Sequence, residues 1–179
     1  SVTLEKVVLS DKNCTIHQYN PLAKVPTLIA NDVSIFDSPV IAEYIDHKTD
    51  LPYLIPSDFD KKILVKRWEA IADGLCDAAV AVMLEKRKPL SQQNADLFEK
   101  QMKKIKLSLE WLNREMEGKE YYLDNKFSYA DIAAGCALGY VKLRYPEIDF
   151  ENEYLGLYRL YELLMQRSSF QATAPEPYL

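Results

Sequence analysis

The chain has 179 residues, 48% of them apolar, and a formal net charge of −5. That length suits one domain or two small ones, and no stretch approaches the ~20 consecutive apolar residues of a membrane-spanning helix. The acidic balance argues against a general nucleic-acid binder, and the cluster Lys100, Lys103, Lys104 and Lys106, offset by Glu99 and Glu110, reads as a solvated helix face.

Cys14, Cys76 and Cys136 are odd in number and far apart, and His17 and His47 stand alone. Neither a disulfide framework nor a metal site is expected from such spacing. Residues 1–10 lack the basic, apolar and small-residue order of a signal peptide, so a cytoplasmic protein is expected.

In chain order, Val2 to Leu9 reads as a strand. Pro26 to Ala30 reads as a second, Asn31-Asp32 as a hairpin turn and Val33 to Phe36 as a third. Ser38 is placed to cap a helix, with Pro39 at its first position and Val40, Ile41, Tyr44 and Ile45 at helical spacing. Composition changes near residues 49–57. Leu51-Pro52-Tyr53-Leu54-Ile55-Pro56-Ser57 cannot continue a helix and reads as a linker. The expected division is therefore 1–50, a linker at 51–57, and 58–179.

The second part has helical period throughout. Ile63 to Met83 mark one face of a long helix stopping near Pro89. Phe98 to Met116 mark a second, ended by Gly118. A third runs from Ser128 to a break at Pro146, and a fourth covers Tyr154 to Arg167. Ser128-x-x-Asp131 is a structural capping box variant, with Phe127 and Ile132 spaced for a hydrophobic staple.

The chemistry concentrates in Asn20-Pro21-Leu22-Ala23-Lys24-Val25-Pro26-Thr27-Leu28 and in Phe36-Asp37-Ser38-Pro39-Val40-Ile41. A cis Val25-Pro26 bond would turn the Val25 N–H and C=O outward to pair with an extended peptide. Asp37 could take an ammonium, while Ser38 and the helix N–H groups take a carboxylate. Lys24 could meet a second carboxylate. Each residue has a plain alternative: an ordinary strand-start proline, helix capping, a solvated lysine. Their order and spacing favour a ligand bearing both charges and a peptide edge.

These two runs resemble the glutathione-binding half of cytosolic glutathione S-transferases, the small bacterial transferase-like proteins in particular. The likeness continues through Trp68-Glu69-Ala70-Ile71-Ala72-Asp73-Gly74-Leu75 and Phe127-Ser128-Tyr129-Ala130-Asp131-Ile132-Ala133. The resemblance implies an α+β chain: a thioredoxin-like N-terminal domain, then an all-α helical domain. It implies glutathione as co-substrate, with Val25 beside cis Pro26 on the cysteinyl unit, Asp37 and Ser38 on the γ-glutamyl head, and Lys24 on the glycyl carboxylate.

By the same analogy, Asp73 stands where some relatives use an acid to help hold the glutamyl amine, sometimes across a dimer. Asp37 replaces a common Glu. Ala23 replaces a common Gly, which matters only if the position needs positive φ.

The family's first strand, loop and helix, with its catalytic Tyr, Ser or Cys, is expected ahead of Ser1, roughly 25 to 30 residues. No catalytic side chain is therefore expected within this chain. Cys14 is a poor replacement, with no base nearby in sequence. The implied activity is conjugation of the glutathione thiol to a small hydrophobic electrophile held near Met83 and the third helix, by a cytoplasmic homodimer acting in detoxification. No metal, nucleic acid or membrane partner is expected. The alternatives are a non-catalytic interaction protein similar to the stringent-starvation proteins and a glutathione-dependent thiol-disulfide oxidoreductase or dehalogenase.

Overall fold

The computed structural model describes residues 2–49 and 52–174. The ends of the expected domains at positions 1, 50, 51 and 175–179 lie outside the described residues. The chain divides into two compact units, one up to Tyr53 and one from Leu54 onward.

The first unit is built on a hairpin. β1 (Thr27–Ala30) and β2 (Val33–Phe36) pair antiparallel, with Thr27 opposite Phe36 and Ala30 opposite Val33. Asn31 and Asp32 both have positive φ, 49° and 62°, the geometry of the tight turn that matches strand twist. α1 (Ser38–His47) packs on both strands and buries Ile41.

Two expectations need correction here. Val2 to Leu9 forms no strand: these residues are exposed, Leu4 at 91%, and the segment ends in a turn where the Asp11 N–H donates to the Val8 carbonyl at 3.0 Å. Apolar and β-branched residues make a strand only along a partner's ladder, and among the described residues the sheet contains β1 and β2 alone. Nor does Ser38 cap α1. Asp37 is the N-cap, its carbonyl accepting from the Ile41 N–H at 3.0 Å, so Ser38 and Pro39 take the first two helical positions. Proline is tolerated at either position because the first N–H groups of a helix have no partner within it.

The second unit is helical. α2 (Phe59–Lys86) is capped by Asp58, which accepts from the Lys61 N–H at 3.0 Å, and packs along α3 (Ala95–Glu115) and α4 (Tyr129–Arg144). Two short helices, α5 (Phe150–Glu153) and α7 (Ser168–Thr173), flank α6 (Leu155–Met165), which rests on α3 and α4. Neither short helix is legible in the sequence, since four and six residues are too few to show a period.

Val65, Leu75, Val82, Leu109, Leu112, Leu138, Val141, Leu157 and Leu164 are at most 1% exposed and form one core with Trp68 and the alanines of α4. Small residues let α4 sit deep in that core. A Cβ on Gly135 would meet Leu164 Cδ1 and Phe170 Cε1 at 2.6 Å each.

Candidate functional site

The hairpin register decides which residues meet. Because Thr27 opposes Phe36, the segment entering β1 (Lys24, Val25, Pro26) and the segment leaving β2 (Asp37, Ser38) lie at the same end of the sheet. Val25-Pro26 is cis. Val25 is about half exposed, and among the described residues neither its N–H nor its C=O has a hydrogen-bond partner.

Asp37 has φ 74° and ψ 123°, a backbone conformation rare outside glycine that costs of order 1–3 kcal/mol. Its side chain makes no cap bond. Among the described residues the Asp37 carboxylate, the Ser38 hydroxyl and the Lys24 ammonium all lack partners within the chain, and all three residues are exposed. An acid beside the positive end of α1 can hold an ammonium, and the adjoining N–H groups a carboxylate. The exposed Val25 backbone can pair with an extended chain. Together they suit a small peptide with a zwitterionic end.

Asn20 and Thr27 belong to this end of the unit as well. Asn20 is 1% exposed. Its Oδ1 accepts from the Leu22 N–H at 2.9 Å, and its Nδ2 donates to the Lys24 carbonyl at 2.9 Å and to Thr27 Oγ1 at 3.4 Å. Thr27 Oγ1 donates to the same Lys24 carbonyl at 3.0 Å. The Asn-Pro dipeptide signals a turn, but nothing in the sequence signals that the Asn side chain is buried. Within the turn Ala23 has φ 50°, so the position does call for left-handed backbone.

The other candidates belong to the helical unit. Asp73 lies exposed on α2, three residues before Cys76, whose thiol is pushed up to about 12 by burial first and by the Asp73 charge second. A thiol held that high is a poor nucleophile. Ser128 and Asp131 open α4: Asp131 Oδ2 accepts from the Ser128 N–H at 2.8 Å and from Ser128 Oγ at 2.9 Å, while Oδ1 accepts from the Tyr122 N–H at 2.9 Å. Asp131 is fully buried and spends its acceptors on the fold. The Phe127 ring lies edge-on to Tyr121, with Arg167 over its face at 3.7 Å.

Cys14 sits half-buried in the first unit, its N–H donating to the Asp11 carbonyl at 3.0 Å. An open cavity of about 810 Å³ in the helical unit is lined by Arg114, Met116, Lys119, Arg159 and Leu163 among others and includes none of the candidate residues. Among the described residues no three His, Cys, Asp or Glu side chains gather to hold a metal ion, and no helix is long and apolar enough to cross a membrane.

The glutathione S-transferase N-terminal domain model matches residues 2–48, and the glutathione S-transferase C-terminal domain model matches residues 95–162. A glutathione S-transferase from Methylobacillus flagellatus KT, solved with GSH bound, is 45% identical with a TM-score of 0.95, covering 98% of this chain and 88% of its own. One from Methylobacterium radiotolerans JCM 2831, in complex with glutathione sulfonate, is 31% identical with a TM-score of 0.89, covering 96% and 82%.

Among curated sequences, YibF of Escherichia coli K12, an uncharacterized GST-like protein, is 35% identical over 161 residues, 89% of this chain. A probable glutathione S-transferase of Nicotiana tabacum is 29% identical over 147 residues, 80% of this chain. The chain spans 79% of the length of the first and 62% of the second.

Proposed function

Because this chain belongs to the glutathione S-transferase superfamily, with a thioredoxin-like N-terminal domain and a helical C-terminal domain, we propose that the open end of its hairpin holds glutathione. The observation that carries this reading is the convergence at one sheet end of a Val25 backbone edge and an Asp37 carboxylate, both without partners among the described residues, and a helix N-terminus. In this reading Asp37 meets the γ-glutamyl ammonium, Ser38 and the α1 N–H groups meet its carboxylate, Val25 pairs with the cysteinyl unit beside Pro26, and Lys24 meets the glycyl carboxylate. Two relatives solved with GSH or glutathione sulfonate support it.

The activity that follows is conjugation of the glutathione thiol to a small hydrophobic electrophile, carried out in the cytoplasm by a homodimer as part of detoxification. Asp73 joins the proposal by analogy, as a further acid for the glutamyl ammonium. No residue of this chain is assigned the task of stabilising the thiolate. The chain's own residues bind and orient the ligand.

The test is retention on immobilised glutathione together with a calorimetric Kd. Asp37→Asn tolerates positive φ while removing the charge, and Ser38→Ala removes the hydroxyl. Each should weaken binding about 10- to 100-fold, the range for losing a hydrogen bond to a charged group. Unchanged affinity in both variants would sink the assignment.

A further inference from the structure

We propose that Asn20 and Thr27 are positioning residues that aim the Val25 N–H at the peptide ligand, an inference resting on the glutathione reading above. One peptide plane links the three residues. The Lys24 carbonyl and the Val25 N–H belong to the same peptide unit. That unit is trans, the cis bond being the next one along, so its C=O and N–H point in opposite directions. Whatever fixes the carbonyl fixes the N–H.

The Lys24 carbonyl is held from two sides, by Asn20 Nδ2 at 2.9 Å and Thr27 Oγ1 at 3.0 Å. With the oxygen drawn toward the buried Asn20, the Val25 N–H faces away from it, on a residue that is 47% exposed.

The rest of Asn20 is committed to the same end. Its Oδ1 accepts from the Leu22 N–H, its backbone carbonyl accepts from the Ala23 N–H at 2.9 Å, and its own N–H donates to the Ile16 carbonyl at 2.9 Å. Asn20 thus anchors the turn to the segment before it and presents one amide donor to Lys24. Thr27, the first residue of β1, ties that plane to the hairpin register. A plane fixed before binding has less freedom to lose when the ligand pairs with it.

The test uses the full chain. Asn20→Asp keeps the acceptor for Leu22 and replaces the donor to Lys24 with an oxygen that repels its carbonyl. Thr27→Val keeps the β-branched shape and removes the second donor. In the free protein, ¹⁵N relaxation should show the Val25 amide rigid in the parent, with an order parameter near 0.85, falling toward 0.6 in Asn20→Asp, with a smaller fall in Thr27→Val. The β2 amides should keep their values. Glutathione Kd, measured on folded protein, should rise about tenfold in Asn20→Asp and about threefold in Thr27→Val, within the range for losing a neutral hydrogen bond.

Unchanged Val25 order and Kd in both variants, with only a lower melting temperature, would overturn the inference and leave Asn20 and Thr27 as fold residues. A parent protein that binds no glutathione, while Asn20→Asp still shows the expected loss of Val25 order, would overturn the glutathione reading instead. The two failures are thereby distinguished.

Discussion

Ala23 carries a side chain at φ 50°, where a left-handed L-residue costs roughly 1–2 kcal/mol relative to glycine. Ala23→Gly relieves that strain but gives the unfolded chain more freedom, worth about 0.4–1 kcal/mol. The expected net is a gain of about 0.5–1 kcal/mol, read from a urea midpoint with unchanged slope. A loss of stability would show that the turn holds Ala23 without strain.

Glu85 is a second residue whose role shows only in the fold. Its side chain is nearly buried, accepting from Lys88 Nζ at 2.7 Å and from the Asn94 N–H at 2.6 Å, and so closes the loop between α2 and α3. The Lys88 bond first, then the Asn94 N–H, holds its carboxyl below the ordinary value of 4.5. The folded state therefore binds the proton more weakly than the unfolded state. The stability Glu85 contributes is present above that ordinary value and lost as pH falls through and below it. Glu85→Gln should lower the denaturation midpoint at neutral pH, and that deficit should shrink as the pH is taken below about 4. A deficit that stays constant across that range would show that shape, rather than charge, is what the loop needs.

At the scale of an element, α4 shows how a sequence motif becomes a buried fixture. The Ser-x-x-Asp spacing is visible in the chain, and Asp131 does reach back to the Ser128 N–H and hydroxyl. The third bond, from Tyr122, comes from a loop nine residues upstream and is decided by the fold. Burial raises the Asp131 carboxyl above its ordinary 3.8 despite these bonds, so its sign is opposite to that of Glu85. The folded state holds the proton more tightly, and Asp131 weighs against stability as pH rises through and above the unfolded value.

Ser128→Ala removes one of the three donors and should cost about 1 kcal/mol, without changing glutathione affinity per folded molecule. An unaltered melting temperature would refute this. Gly135, one turn further along α4, is a packing requirement. With Leu164 and Phe170 only 2.6 Å from where its Cβ would sit, Gly135→Ala should cost about 1–3 kcal/mol by overpacking, measurable by thermal melting. A variant as stable as the parent would mean that α6 and α7 yield without strain.

At the scale of the whole molecule, ligand linkage gives the broadest check. A ligand that binds the folded state alone stabilises it by about 2.7 kcal/mol at one hundred times its Kd. Millimolar glutathione should therefore raise the melting temperature of the chain, and Asp37→Asn should blunt the rise. No shift in the parent would count directly against glutathione binding.

How much of this was legible beforehand follows one rule. The hairpin, its Asn31-Asp32 turn and the four long helical segments were readable because periodicity and turn chemistry are local. Val2 to Leu9 reads as a strand because its residues suit one, yet a strand exists only by pairing. The cap of α1 falls one residue before the Ser38 that Pro39 at a first helical position points to, because Asp and Ser cap equally well by type and the chain turns at Asp37, φ 74°, directly after β2 ends at Phe36.

The amino-acid sequence by itself determined which residue types stand in which order: Lys24, Val25, Pro26, Asp37 and Ser38 are the ones the proposed glutathione reading uses, and chain order needs no fold to be read. Only the tertiary structure decided that Asp37 stands at the N-cap of α1 with φ 74° and its side chain free of any cap bond. It also decided that a buried Asn20 holds the Lys24 carbonyl. The two-residue turn sets the hairpin register locally, whereas side-chain burial and the backbone at a cap depend on what packs around a residue, and a linear chain does not state its neighbours across space.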